Sequence, residues 1–150
     1  MIFIAHRGNT YGRSERNENE PKYILQALNK GFYVEIDLWA IENNFFLGHD
    51  NPTYKIDLNF LDRSEFFVHC KNEEALECLH NNSLKCEYFW HDNDKYTITS
   101  KGNIWTYMGS HCPKNSIALM PELFNSDIDY KHCYGICSDK VTFYRDIYRI

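Results

Sequence analysis

With 150 residues, a 43% hydrophobic composition, eleven Tyr, ten Phe and three Trp, the chain is long enough to bury one core and too apolar for disorder, so a single domain over 1–150 follows. A net charge of −5 excludes a general electrostatic hold on a nucleic-acid polymer, which needs many Lys and Arg against phosphates, but leaves room for a local cationic cluster facing a small anion. The opening "MIFIAHRG" has too few apolar residues for a signal-peptide core or a membrane span, so the expectation is a cytoplasmic protein without membrane insertion.

In chain order, "IFIA" (2–5) predicts a strand and "PKYILQALNK" (21–30) an amphipathic helix, with Pro21 suited to its first turn and Gly31 as its stop. "FYVEIDLW" (32–39) is the next strand, "NNFFLGHD" (43–50) a hairpin return after an Asn-Asn turn, and "EFFVHC" (65–70) a further buried strand. "NEEALECLHNN" (72–82) predicts a second helix with Asn72 as N-cap. Short apolar runs at 86–91, 96–100, 103–108, 116–120 and 134–138 bring the strands to seven or eight, and a terminal helix is expected at 140–148. Strand, helix, strand with continuous apolar runs is the pattern of an α/β protein with a parallel sheet, and periodicity alone leaves an open doubly wound sheet and a closed barrel both open. The six cysteines form no C-x-x-C pair and are expected to be reduced.

One strand breaks the apolar pattern. In "VEIDLW" the carboxylates of Glu35 and Asp37 are two positions apart and share a face. Buried side by side they repel, and each loses its hydration, a cost of several kcal/mol. A divalent cation offsets that, and hard oxygen ligands suit Mg²⁺ or Ca²⁺; the plainer alternative is two charges on a half-exposed strand. His6, Arg7 and Gly8 end the first strand, where α/β proteins build their sites, and His49 follows the E-x-D strand closely. Two imidazoles, an arginine and a cation are what proton transfer at a phosphate needs; a histidine taken singly is more often structural or exposed, and the signal is their joint placement.

These residues carry a resemblance. "AHRGN", "EN" at Glu18-Asn19 before the first helix, "VEIDLW" and "LGHD" resemble, in order and spacing over residues 4–52, the H-R-G, E-N, E-x-D and H-D pattern of the glycerophosphodiester phosphodiesterase family. "GICSD" (135–139) is similar to that family's closing G-I-x-T-D segment. The resemblance implies a phospholipase-C-like TIM-type (β/α) barrel. Such barrels run to about 250 residues, so the expectation is a minimal barrel with several outer helices reduced or missing, and the apolar flank so exposed would favour a homodimer.

By the same resemblance the chain is a phosphoric diester hydrolase using one divalent metal ion on a small glycerophosphodiester-like substrate. A neighbouring hydroxyl would attack the phosphorus to give a cyclic phosphate. His6 and His49 take the roles of general acid and base, Arg7 grips the phosphate, Glu35 and Asp37 bind the metal, and Glu18 lies near metal and substrate. The family's third strand ends E-x-K, whereas "VHCK" puts His69 in the glutamate slot and keeps Lys71 as a phosphate contact. A neutral His69 imidazole would suit Mn²⁺ or Zn²⁺ better than Ca²⁺ as third ligand; a merely polar neighbour is the alternative. A soluble headgroup diester is favoured over membrane lipid, because no basic amphipathic helix is visible. The competing function is a non-catalytic module that binds a phosphoryl ligand. His91, Glu122 and Asp139, all at strand ends, and Trp105 are further candidates without an assigned role, and beside Phe89 and Trp90 a packed core histidine is an equal reading of His91.

Overall fold

The computed structural model describes residues 1–124 and 129–148. Its elements are β1 (Ile2–His6), α1 (Pro21–Asn29), β2 (Tyr33–Ile41), β3 (Asn44–Leu47), β4 (Tyr54–Ile56), β5 (Phe66–Cys70), α2 (Glu73–Asn81), β6 (Glu87–Phe89), β7 (Tyr96–Ile98), β8 (Ile104–Thr106), β9 (Ser116–Leu119), β10 (Gly135–Ser138) and α3 (Val141–Tyr148). Parallel pairing runs in the order β6-β5-β2-β1-β10-β9-β8. β7 is antiparallel on the β8 edge, and β3 and β4 form an antiparallel ribbon beside the second half of β2.

This corrects the expected (β/α) barrel. The chain forms a curled mixed sheet, half-barrel in shape, of ten strands with three short helices among the described residues. α-Helices fill the connections from β1 to β2 and from β5 to β6 and follow β10, but among the described residues no α-helix separates β6 from β10, where a short 3-10 turn at Pro121–Leu123 follows β9. The physical reason is chain length: the parallel crossover from β8 to β9 has only residues 107–115, short of the dozen or so a helical crossover needs.

Strand alternation sorts the side chains. Val34, Ile36, Leu38 and Ala40 of β2 and Phe66, Val68 and Cys70 of β5 face the helices, where Ile24 and Ala27 of α1, Ala75 and Leu79 of α2, and Val141 of α3 complete a continuous core. Asn72 locks α2 to the sheet. Its side-chain oxygen accepts from Ala75 N (3.2 Å) as an N-cap and from Ala40 N (3.1 Å), while its amide donates to Ala40 O (2.6 Å). Ile4, Phe67, Phe89, Trp105, Ile117 and Cys137 pack on the inner face. Phe89 stacks on Trp105 at 4.3 Å, so β6 and β8, at opposite ends of the parallel order, meet across the curl.

All six cysteines are free thiols. Among the described residues no helix is long and apolar enough to cross a membrane.

Candidate active site

Register brings the motif residues together at the carboxyl ends of the strands. Pairing sets His6 beside Glu35 and Asp37 beside His69. Ala5 pairs with Ser138, so Asp139 comes next to His6, and its Oδ1 accepts from His6 Nδ1 at 2.8 Å. A carboxylate only accepts, so Nδ1 carries the proton. Nε2 is left facing Glu35, 3.9 Å from Oε2. Burial opposes a charged His6, but Asp139 and Glu35 prevail and raise its pKa.

After His6 the chain reverses through two residues of positive φ, Arg7 at 52° and Gly8 at 89°. A Cβ on Gly8 would lie 2.9 Å from Tyr23 Cδ1, so only glycine fits there. The reversal turns the Arg7 N–H onto Glu35 Oε2 (3.2 Å) and the guanidinium inward. Nη1 donates to Glu18 Oε2 at 3.1 Å, and Nε lies 3.1 Å from Asp37 Oδ2. Glu18 also accepts from Asn9 (3.0 Å) and pairs with Arg13 (3.5 Å). Its carboxylate orients Arg7, which is its link to any phosphate.

Asp37 is fully buried. Asn19, itself at φ 63°, donates to Oδ2 and accepts from the Asp37 N–H, both at 2.9 Å. Oδ1 lies 3.2 Å from His69 Nδ1 and 3.7 Å from Lys71 Nζ, yet has no hydrogen-bond partner. Burial works against this carboxylate, but His69, Arg7 and Lys71 hold its pKa below the usual range. Glu35 goes the other way: burial and then Asp37 push its pKa up.

His69 Nε2 lies 2.8 Å from the carbonyl oxygen of His91. A carbonyl only accepts, so Nε2 bears a proton; a second proton on Nδ1 makes the ring a cation facing Asp37, and without that proton Nδ1 presents a lone pair that a metal ion could take. The ring is held by stacking on Phe89 (5.2 Å, 7°). One donor atom each from Glu35, Asp37 and His69 lie within 4.8 Å of one another. Two carboxylates, an aimed imidazole lone pair and an orphaned buried oxygen fit a divalent cation on chemical grounds.

His49 and Lys71 line the same cleft of about 640 Å³ as His6, Arg7 and His69. His49 is the most open of these, with its side chain 40% exposed and Nδ1 bonded to Asp50 at 2.7 Å. Burial and the Arg7 charge lower its pKa. Its position depends on Gly48, at φ 152°, where a Cβ would come 2.0 Å from Asn51 O. Gly48→Ala is therefore expected to destabilise the protein by roughly 1–3 kcal/mol and to displace His49, measured by thermal denaturation and by the His49 ring resonances in NMR.

Asp139, Asn9 and Asn19 have no role assigned from sequence. For Asp139 the signal lies in the closing "GICSD", whose last residue a β1–β10 pairing sets beside His6. Asn19 is the second residue of the "EN" pair, and its contacts to Asp37 explain why an amide stands there.

Comparison of the chain with protein-family models, with curated proteins and with solved structures finds no match.

Proposed function

We propose that the chain is a divalent-metal-dependent phosphodiesterase that cleaves a small diester by histidine acid–base chemistry. The observation that carries this is the convergence of donor atoms from Glu35, Asp37 and His69 within 4.8 Å, with Glu35 and His69 lining the same cleft as His6 and His49, each of these two tied through Nδ1 to a carboxylate. Glu35, Asp37 and His69 would hold the ion, with their mixed oxygen and nitrogen donors suiting Mn²⁺ or Zn²⁺ and also admitting Mg²⁺. A divalent ion bound there supplies Lewis acidity toward a phosphoryl oxygen and cancels the repulsion of the paired carboxylates.

The chain's own groups then divide the work. Arg7 and Lys71 bring positive charge to the phosphate. The two histidines differ in environment, with the pKa of His6 raised and that of His49 lowered, and two such groups pushed apart make an acid and a base. His49, neutral, takes the proton of the attacking hydroxyl. His6, charged, gives its Nε2 proton to the departing alkoxide as the P–O bond to the leaving alcohol breaks. When the nucleophile is a hydroxyl of the substrate itself, the product is a cyclic phosphate, and water opens it with the two roles reversed.

The test is hydrolysis of glycerophosphocholine with added Mg²⁺, Ca²⁺, Mn²⁺ or Zn²⁺, and after EDTA. Turnover with Mn²⁺ or Mg²⁺ that falls at least about 100-fold on chelation is expected. Turnover indifferent to chelation would remove the metal from the mechanism. Tight phosphate binding without turnover under any metal would favour a binding module.

A further inference from the structure

The loops entering β9 and β10 bring two cysteines together at the amino ends of those strands, the opposite end of the sheet from the reaction centre. The loops run side by side. Asn115 N donates to His132 O (3.1 Å), Tyr134 N donates to Ser116 O (2.8 Å), and Nε2 of the His132 ring donates to Cys112 O (2.9 Å). That Nε2 also lies 3.7 Å from Cys133 Sγ, and the Cys133 thiol hydrogen-bonds the Cys112 sulfur. Two thiols from different loops are thus already in contact. They are 8% and 5% exposed, against 1%, 3% and 0% for Cys70, Cys86 and Cys137, and His111 and His132, their neighbours in sequence, are exposed.

The thiolate is the reactive form of cysteine, and burial ordinarily suppresses it. Burial pushes the thiols of Cys70, Cys78, Cys86 and Cys137 up from their ordinary 9.0. Cys112 goes the other way: the hydrogen bond from Cys133 outweighs burial, helped by the Thr106 hydroxyl and a protonated His132. The same bond raises Cys133, which keeps its proton. An activated thiol touching a protonated one is equipped to react first and be resolved by its neighbour. We propose that Cys112 and Cys133 are a reversible redox pair, oxidised by a small hydroperoxide to a disulfide that staples the loop entering β9 to the loop entering β10. The Cys112 thiolate attacks one peroxide oxygen, the O–O bond breaks, and the hydroxide that leaves is protonated to water, with Cys112 oxidised to a sulfenic acid. The Cys133 sulfur then attacks the Cys112 sulfur, the S–O bond breaks, and the hydroxyl departs with the Cys133 proton as a second water. Two thiols and one peroxide give one disulfide and two waters, and a dithiol reductant reverses the bond by exchange.

This goes beyond the phosphodiesterase reading and does not depend on it. The native, reduced chain is treated with a few equivalents of hydrogen peroxide, its remaining thiols are alkylated, and the cysteines are mapped by mass spectrometry. A Cys112–Cys133 bridge is expected, with the other four thiols alkylated and the bridge lost on adding dithiothreitol. The oxidised protein should melt at least about 5 °C higher than the reduced one, since the bridge closes a loop in the unfolded chain. In Cys133→Ala the sulfenic acid on Cys112 should persist and be trapped by dimedone, whereas in Cys112→Ala peroxide should leave Cys133 unmodified. Cys78, the most exposed of the six, is the internal control, because exposure alone would oxidise it first. The wild-type mapping decides without any variant if an alanine at either packed site does not fold. Oxidation of Cys78 ahead of Cys112, a bridge between other cysteines, or one that forms only in urea overturns the proposal. An unchanged melting temperature in the bridged protein overturns the staple, and a folded Cys133→Ala protein without the dimedone adduct overturns Cys112 as the thiol that reacts first.

Discussion

Replacing His6 with alanine is expected to lower kcat/KM for diester hydrolysis by roughly 10²–10⁴-fold, the usual contribution of a positioned proton donor, and to erase the alkaline limb of the pH profile. His6 Nδ1 is fixed on Asp139 at 2.8 Å, which leaves Nε2 as the working nitrogen. An acid must be charged, and although burial disfavours that state, Asp139 and Glu35 move the pKa above its ordinary 6.5. His49 must be neutral as base, and burial together with Arg7 moves its pKa below 6.5. Activity should therefore rise as pH passes the His49 value, level off around 6.5, and fall as pH passes the His6 value. His49→Ala should remove the acidic limb instead. The His6 substitution should leave the fold intact, because Asp139 keeps its hydrogen bond from Asn9 at 2.8 Å. Rates over about pH 5 to 9 at saturating metal, with thermal denaturation of each variant, decide the matter. An alkaline limb that persists in a folded His6→Ala protein would sink the assignment.

The parts of the fold legible in the sequence are those that local physics decides. The helix expected at 21–30 forms as Pro21–Asn29, that at 72–82 as Glu73–Asn81 with Asn72 as its cap, and that at 140–148 as Val141–Tyr148. β1, β2, β5 and β10 follow their apolar runs equally closely. β4 is different: Tyr54–Ile56 is three residues long and owes its extended form to pairing with β3, a tertiary cause that no local pattern records. The hairpin turns on Glu42 and Asn43, both at positive φ, one position before the expected Asn-Asn pair. Register decides this, because only that turn sets Leu38 opposite Leu47 with both buried. The barrel expectation failed for a related reason. The motifs describe the turns at one end of a sheet, and those turns can form whether or not helices cover its back.

Within the site, Glu35 and Asp37 were legible because alternation along β2 puts them on one face, and His69 through its place in the "VHCK" segment of the resemblance; the β2–β5 register, which no local pattern records, sets His69 beside Asp37. Their supporting contacts were not. The His6–Asp139 bond spans 133 positions, and Asn9 reaches both Glu18 and Asp139; such links exist only once strand order is known. Glu18 shows the limit of reading a position by its motif. Proximity to the site followed from "EN", but a carboxylate repels a phosphate, and the structure spends it on Arg7, Arg13 and Asn9.

Replacing Glu35 with glutamine is expected to stabilise the metal-free protein once pH exceeds the ordinary glutamate range and, at the same time, to abolish its stabilisation by Mn²⁺. Glu35 is 3% exposed, and burial together with Asp37 raises its pKa above the ordinary 4.5. The folded chain thus binds this proton more tightly than the unfolded chain, so between the two values stability falls as pH rises. Glutamine removes that slope while keeping an oxygen for the Arg7 N–H, which now lies 3.2 Å from Oε2. Asp37→Asn should have the opposite sign, because the lowered pKa of Asp37 reflects His69, Arg7 and Lys71 working in favour of its charge. In the wild type, Mn²⁺ at a hundred times its Kd should add about 2.7 kcal/mol, roughly 5–10 °C in melting temperature for a chain of this size. In Glu35→Gln the shift should vanish, because a neutral amide neither repels Asp37 nor draws the cation. Melting curves of both proteins at pH 5, 6, 7 and 8, with EDTA or with Mn²⁺, test the two halves together. A Glu35→Gln protein that still gains the full Mn²⁺ shift would show that the ion binds elsewhere, and one less stable than the wild type in EDTA at pH 8 would show that the paired carboxylates carry no strain for a metal to relieve.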